Sequence, residues 1–201
     1  MAITYPLSLP TSIGIAQIEI RAANAIGLGQ SPFTFSQQTV VHQGQRWEAS
    51  ISIPTVRRQY AAPWKAFLTA LKGRRGTFLL SDPDYASPRG TATSATLNDV
   101  GGTSRVAGSS SIVVSMTGTL LAGDYIQLGT GLNSRLHQVL QDQDGSGTLE
   151  IWPALRSNYA DSTALDLSNP SGHFRLAANQ VSWAVDQSSA YSISFDCVEV
   201  L

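Results

Sequence analysis

The chain has 201 residues, of which 13 are lysine or arginine and 14 are aspartate or glutamate, so charged residues make up 13% of it. Globular proteins average about 25%. The net charge of −1 and the hydrophobic content of 42% argue against charge-driven disorder, membrane insertion and broad electrostatic binding to nucleic acid.

The few basic residues are mostly arginine, with only Lys65 and Lys72 as lysines. The planar, weakly hydrated guanidinium of arginine suits contacts that become buried between surfaces. The single cysteine, Cys197, excludes an internal disulfide. Residues 1–10 have neither a basic start nor a long apolar run, so we expect no signal peptide and synthesis in a cytoplasm.

The first part of the chain predicts strands followed by one helix. Residues 13–53 alternate in short runs with the period of two that half-buried strands show, interrupted by glycines and Pro32. After Pro54 the period changes to a helical one. A single apolar stripe then predicts a helix over about residues 59–72 that ends at Gly73: Ala61, Trp64, Phe67, Leu68 and Leu71.

The rest of the chain predicts further strands, and from about residue 89 the sequence becomes richer in Ser, Thr, Gly and Asp and the predicted strands become shorter. A strand at 76–80 ends in proline-rich turns, and short strands follow at 111–115, 124–128, 135–141 and 148–152. Longer strands return at 173–176, 180–185 and 191–200. We therefore predict a mainly β protein with one α-helix. Residues 1–88 and 171–201 would form one β-rich barrel or sandwich domain, and residues 89–170 an inserted β-barrel or sandwich domain.

The segment from Asp142 to Glu150 resembles part of an EF-hand calcium loop. Asp142, Asp144 and Ser146 place oxygen ligands at loop positions 1, 3 and 5. The position that must supply a bidentate carboxylate is Pro153, and the flanking sequence is strand-like rather than helical. We favour a polar hairpin turn over a weak calcium site, and we predict no metal.

The sequence shows no arrangement typical of catalysis. It has no nucleophile-elbow motif, and His42, His137 and His173 lack the spacing of metal ligands. Alternation places Cys197 on one strand face with Phe195 and possibly Glu199, which favours a core thiol over a nucleophile. We predict no enzymatic activity and no cofactor.

Two arginine pairs bracket the predicted helix, and we take them as candidate interface residues: Arg57, Arg58, Arg74 and Arg75. With Tyr60 and Trp64 between them, such clusters can contact nucleic acid. The net charge of −1 favours arginine-mediated protein contacts instead. The helical spacing of Trp64 assigns it to the core.

Several segments resemble minor tail proteins of long-tailed bacteriophages and prophages, over most of the chain from about Phe33 to the end. These segments are Trp47-Glu48-Ala49, Pro54, Trp64, Phe67, GRRGTFLLSDP at 73–83, AGDYIQLG at 122–129 and IWPALR at 151–156. Such proteins are similar in role to the distal tail protein. The resemblance implies a virion tail component, usually a hexameric ring, that joins the tail tube to tip or hub proteins. It also implies a ring-forming β-rich domain with one helix and a peripheral β domain.

An alternative from another class is a carbohydrate-binding module that contacts the host envelope. The middle block has the size of a β-sandwich lectin, and Tyr125, Trp152 and Tyr159 look exposed in the sequence. The same aromatic residues also fit ordinary core and hairpin packing. A third possibility, a cell-wall hydrolase, has no supporting residue constellation.

Overall fold

The computed structural model describes residues 3–98, 102 and 105–201, and within them the protein is mainly β with a single α-helix. The elements of the first part are β1 (Gln17–Gln30), β2 (Gln37–Arg57), α1 (Arg58–Ala70) and β3 (Thr77–Leu80). The elements that follow are β4 (Ala95–Leu97), β5 (Ser111–Met116), β6 (Thr119–Leu120), β7 (Tyr125–Leu128), β8 (Arg135–Val139), β9 (Gln143–Asp144), β10 (Gly147–Trp152), β11 (Ala164–Asp166), β12 (Gly172–Leu176), β13 (Trp183–Val185) and β14 (Ala190–Glu199).

The strands form one large sheet and one closed barrel. The sheet has the antiparallel order β1-β2-β14-β12-β3, and β13 pairs with β14 beside this path. Its strands come from residues 17–80 and 172–199. The closed barrel has the order β10-β5-β4-β11-β7-β8 and comes from residues 95–166, while β6 and β9 form a separate pair. The predicted domain boundaries themselves stay a prediction.

Alternation along the central strands separates a buried face of the sheet from an open one. The buried positions are every second residue: Trp47, Ala49, Ile51 and Ile53 on β2, and Ile193, Phe195, Cys197 and Glu199 on β14. Between them lie polar residues such as Ser50 and Asp196, which face the other side. The prediction that Phe195, Cys197 and Glu199 share one face is confirmed.

Helix α1 packs on the buried face through the predicted stripe. Trp64 and Phe67 lie 5.9 Å apart between ring centroids, and Phe67 contacts Phe78 of β3 at 5.5 Å. The helix ends at Ala70, two residues before the predicted end. Lys72 and Gly73 both adopt left-handed backbone conformations, and the Gly76 N–H donates to the Leu71 carbonyl, which closes the turn.

Six of the strands between residues 95 and 166 close into a barrel rather than a sandwich. The four strands predicted there lie within two residues of β5, β7, β8 and β10, whereas β4, β6, β9 and β11 were not predicted. One difference has a visible cause. The strand predicted from Asp124 begins at Tyr125, because the Asp124 backbone N–H donates to the Leu121 carbonyl in a turn, at 2.9 Å, rather than to a neighbouring strand. The predicted strand 180–185 is shorter, with only Trp183–Val185 paired to β14.

The strands predicted over residues 13–53 are present, but they are not short. The structure has two long strands of 14 and 21 residues, β1 pairs with residues 37–52 of β2 apart from one register shift, and Gly27, Gly29 and Gly44 lie inside the strands. Glycine without a side chain to pack weakens a strand but does not end it. The only reversal is at residues 31–36, around Pro32.

Replacing Trp64 with alanine should lower the free energy of unfolding by about 3–5 kcal/mol, because the indole is 1% exposed at the centre of the core. Urea unfolding followed by circular dichroism measures this change. The matched control is Tyr60→Ala on the exposed face of the same helix, which should change the free energy little. A loss below about 1 kcal/mol for Trp64→Ala would contradict this packing.

Candidate interaction surface

The most distinctive surface is a two-stranded ribbon that projects from the sheet, formed by residues 22–45 and called the arm below. The pairing of β14 with β2 ends at Glu48, so beyond that point β1 and β2 pair only with each other. At about 3.4 Å per residue, the ribbon extends roughly 25–30 Å past the sheet before its turn.

The arm carries no charged side chain. None of its 24 residues is Asp, Glu, Lys or Arg, although the chain's own charged fraction of 13% would place about three there. Six large apolar residues of the arm are exposed: Ile26, Leu28, Phe33, Phe35, Val40 and Val41. Monomeric proteins rarely expose a contiguous apolar surface of this kind unless it binds something. None of the candidate site residues predicted from the sequence lies in the arm, although the absence of charged residues over 22–45 is visible in the sequence.

The two edge strands of the sheet, β3 and β1, differ in whether another segment covers them. At β3, the N-terminal segment adds a parallel bridge, with the Leu7 N–H donating to the Thr77 carbonyl and the Leu79 N–H to the Leu7 carbonyl. No strand of the described residues pairs with the outer side of β1. An open edge of 14 residues is a template for pairing with another chain.

A β-bulge bends the arm near its base. The register shifts between Asn24 and Ile26, where three residues from His42 to Gly44 oppose Ala25 alone. Gly44 is required there, since a Cβ atom at this position would lie 2.9 Å from the Ala25 Cβ. The bulge fixes the direction in which the rest of the arm leaves the protein.

The tip of the arm is an ordered turn rather than a loose loop. The Ser31 N–H donates to the Ser36 carbonyl and the Phe35 N–H to the Ser31 carbonyl, both at 2.9 Å. The Thr34 and Ser36 hydroxyls bond each other at 2.9 Å. Phe35 has a left-handed φ of 56°, which is strained for a bulky residue. These contacts hold Phe33 and Phe35 out into solvent, 91% and 73% exposed.

Barrel residues hold the base of the arm. The Trp152 indole N–H donates to the Asn24 side-chain carbonyl at 2.9 Å, and the Ala154 N–H donates to the Gln45 side chain at 2.8 Å. Trp152 also packs edge-on against Trp47, 4.5 Å between ring centroids. The barrel therefore positions the arm relative to the sheet.

A buried ion pair completes this junction. The Arg156 guanidinium donates to the Glu199 carboxylate at 3.0 Å and to the Gln45 carbonyl. The same Glu199 oxygen accepts the Trp47 N–H at 3.1 Å. The Trp47 indole N–H donates to the Leu136 carbonyl at 2.9 Å. Arm, sheet and barrel thus meet around one nearly fully buried carboxylate.

The four arginines predicted as interface residues are all exposed, but they do not form one patch. Arg57 and Arg58 lie at the start of α1, whereas Arg74 and Arg75 follow its end, about 20 Å away along the helix. Arg74 lines a shallow depression on the open sheet face together with Arg21, Arg46 and Asp196. Trp64, between the pairs in sequence, is buried and unavailable to a nucleobase.

The calcium-like segment is not a hairpin turn. Strand β9 pairs with β6, and β10 pairs with β5. Residues 145–146 therefore form a kink between two consecutive strands, both of which pair with the segment 111–120. The Ser146 hydroxyl accepts the Met116 N–H and donates to the Met116 carbonyl. Asp142 accepts the Ala122 N–H. No group of three or more metal-binding side chains occurs among residues 3–98, 102 and 105–201.

The groups weighed as nucleophile or ligands lie in different places. Cys197 is buried, and burial raises the pKa of its thiol to about 12. His137 is buried in the barrel, where its Nδ1 lies 2.7 Å from the Pro153 carbonyl and burial lowers its pKa to about 4. Burial also lowers the pKa of His173, whereas His42 is exposed on the arm.

The aromatic residues considered for carbohydrate binding are half-buried rather than exposed. Tyr125 and Trp152 pack against the core of the sheet, and Tyr159 packs against the barrel core. Trp47 contacts Tyr125 edge-on at 6.0 Å between ring centroids. The arrangement matches the alternative prediction that these rings pack internally.

Comparison with known proteins identifies no relative: no protein-family model matches the chain, and no curated protein matches it.

In the described part of the chain, no helix has the length and apolar character needed to cross a membrane.

Replacing Arg156 with alanine should destabilise the fold by about 3–5 kcal/mol, because the Glu199 carboxylate would stay buried without its cation. The double variant Arg156→Met with Glu199→Gln should recover much of this loss. Urea unfolding of the wild-type, single and double variants measures both effects. Arg21→Ala, which breaks the exposed Arg21–Glu19 pair, is the control and should have little effect. Equal losses at the two sites would contradict the role of the junction.

The free energy of unfolding should fall as the pH is lowered from about 6.5 to about 4. His137 has its pKa lowered from 6.5 to about 4 in the folded chain, so the unfolded chain binds an additional proton in this window. At about 1.4 kcal/mol per pKa unit, this group contributes about 3 kcal/mol of stability at neutral pH that is lost below pH 4. Urea unfolding at several pH values across this range should show that the free energy of unfolding depends less steeply on pH in the His137→Gln variant than in the wild type. An unchanged pH dependence in this variant would contradict the assignment to His137. His42→Gln replaces an exposed histidine and is the control.

Proposed function

We propose that the chain is a structural subunit of a bacteriophage-type tail, a ring component that joins the tail tube to the tip or hub proteins. The sequence resemblance to minor tail proteins is the reason for proposing a bacteriophage tail as the assembly. The observation that carries the assembly role is the arm, an exposed, apolar and uncharged ribbon that projects from an otherwise ordinary sheet.

The arm has the properties of a surface that becomes covered by protein. Charged residues are depleted at the centres of interfaces, because each one must lose its hydration when it is buried. Sheet edges that face solvent permanently usually carry lysines, prolines or inward-pointing charges as protection. The outer half of β1 has none of these, from Ala22 to Gln30. Pairing with a further copy would satisfy both the open edge and the apolar side chains.

The charged residues are placed elsewhere and are partly paired. Arg21 bonds Glu19 at 2.8 Å, and Arg46 bonds Glu48 at 2.6 Å, all on the open face of the sheet next to the base of the arm. This face keeps the subunit soluble while the arm remains free for assembly.

The partners that follow are further copies of the same chain, in a closed ring that we take to be a hexamer, and the tube and tip proteins above and below it. Head-to-tail contacts between identical subunits close into rings when the rotation between neighbours is a whole fraction of a turn. The barrel would lie at the periphery as a separate module. Neither a membrane nor a specific nucleic acid takes part, and the role needs no cofactor or enzymatic activity.

The proposal predicts rings of one defined size, visible by mass photometry and by negative-stain electron microscopy of the purified chain. Val41→Glu should shift the population to monomers, with assembly weakened by roughly tenfold or more, because a carboxylate would have to be buried at the contact. Val41 is 75% exposed, so the fold itself should persist. Val106→Glu places the same charge on an exposed apolar residue outside the arm and should leave assembly unchanged.

Two outcomes would contradict the proposal. One is a chain that stays monomeric at every concentration at which it is soluble. The other is a chain that purified virions lack or carry only in their heads. Localisation by labelled antibody at the tube–tip junction of assembled tails is the supporting result.

A further inference from the structure

A second apolar surface lies at the opposite end of β1 from the tip of the arm. It is a groove of about 280 Å³ formed by the N-terminal segment where this segment crosses α1 and the end of β3. The lining includes Leu9, Ile13, Ile15, Trp64 and Pro83. The Ser12 hydroxyl donates to the Tyr60 carbonyl, and the Ala16 N–H donates to the Ser52 carbonyl, so both ends of this segment are fixed.

The chemistry of the groove favours an uncharged, aromatic occupant. None of its nine lining residues is charged, and only Thr11 and Ser81 have polar side chains. The buried indole Nε1 of Trp64 has no hydrogen-bond partner among the described residues. A dry cavity of about 150 Å³ lined by aliphatic and aromatic side chains binds benzene, so this groove has room for a phenyl ring.

The tip of the arm presents such rings. Phe33 and Phe35 are the most exposed aromatic residues described, and the turn from Ser31 to Ser36 holds them outward. Tip and groove therefore match in polarity and in size.

We propose that the phenylalanine tip of one copy inserts into the apolar groove of the next copy. A chain cannot fill its own groove, because Ile15 and Phe33 lie at opposite ends of β1, whose 14 residues span about 45 Å. The contact is therefore head-to-tail, the kind that builds rings or filaments rather than twofold dimers. This inference rests on the proposed ring, for which it names the contacting residues.

The insertion supplements the pairing along the edge of β1. One or two phenyl rings bury far less than the area of roughly 1,200–2,000 Å² that a stable interface needs. They would act as anchors in a pocket, which commonly contribute a large share of the binding energy at an interface. The open edge and the remaining arm residues would provide the rest of the buried area.

Cysteine cross-linking tests the contact directly. In a Thr11→Cys and Phe33→Cys double variant, oxidised glutathione should link tip to groove between copies, giving a ladder on a non-reducing denaturing gel that stops at the ring size. Both positions are exposed, so the fold should be kept. The wild-type chain, either single variant and a Ser188→Cys with Phe33→Cys variant are controls and should give no ladder. Peptide mass spectrometry identifies the linked residues.

The outcomes separate this inference from the proposed function. Rings without a ladder, or Phe33→Cys alone forming dimers through paired tips, overturn the insertion and leave the ring standing. A ladder without a limiting size supports the insertion and contradicts a closed ring. The absence of both oligomers and cross-links contradicts both.

A second measurement does not depend on cysteine chemistry. Phe33→Ala with Phe35→Ala should weaken assembly by roughly tenfold or more, as measured by mass photometry across a dilution series. Phe33→Leu with Phe35→Leu should restore part of the affinity, because it keeps apolar volume at the tip. Leu132→Ala removes an apolar side chain that is 55% exposed and lies outside both the arm and the groove, and it serves as the control. Unchanged assembly in the double alanine variant overturns the proposal.

Discussion

The fold depends on the buried carboxylate of Glu199. It lies on β14 in the sheet, and one of its oxygens accepts hydrogen bonds from the Trp47 backbone N–H at the base of the arm and from the Arg156 guanidinium, which lies between the barrel strands β10 and β11. A carboxylate in such a place is stable only while both donors stay in position, since removing one partner of a buried pair leaves an uncompensated charge. Three parts of the chain, 43 to 152 residues apart in sequence, are therefore held in one arrangement.

The same junction makes the arm a rigid extension of the fold. Asn24 and Gln45 stand opposite each other on β1 and β2, and each is bonded to a barrel residue. An isolated two-stranded ribbon is only marginally stable in water. Here its base is clamped by the barrel and its turn is closed by hydrogen bonds, so the exposed apolar residues are presented in a defined geometry. Pre-organisation of this kind lowers the entropy lost on binding.

The sequence predicts what depends on local spacing, and fails where distant contacts decide. The stripe from Ala61 to Leu71 and the alternation around Cys197 follow from helix and strand periods, and both predictions are confirmed. The arm was missed because its two strands stabilise each other by register across a turn, while its glycines indicate interruptions when each strand is considered alone. The packing of Trp152 against Trp47 was missed because no local pattern connects residues so far apart, and Trp152 therefore looked exposed.

The few charged residues of the chain are unevenly distributed, and the segment without them is the arm. Charged residues occur on the open face of the sheet, at the ends of α1 and throughout the barrel segment, whereas a run of 24 residues has none. A subunit that displayed its apolar arm without charged surface elsewhere would associate through any available patch. Because charged residues lie beside the base of the arm and over the rest of the molecule, burying those surfaces costs desolvation, and the uncharged ribbon remains the surface where burial costs least. Composition alone therefore indicates a protein with surfaces to bury, and the fold identifies the arm as the first of them.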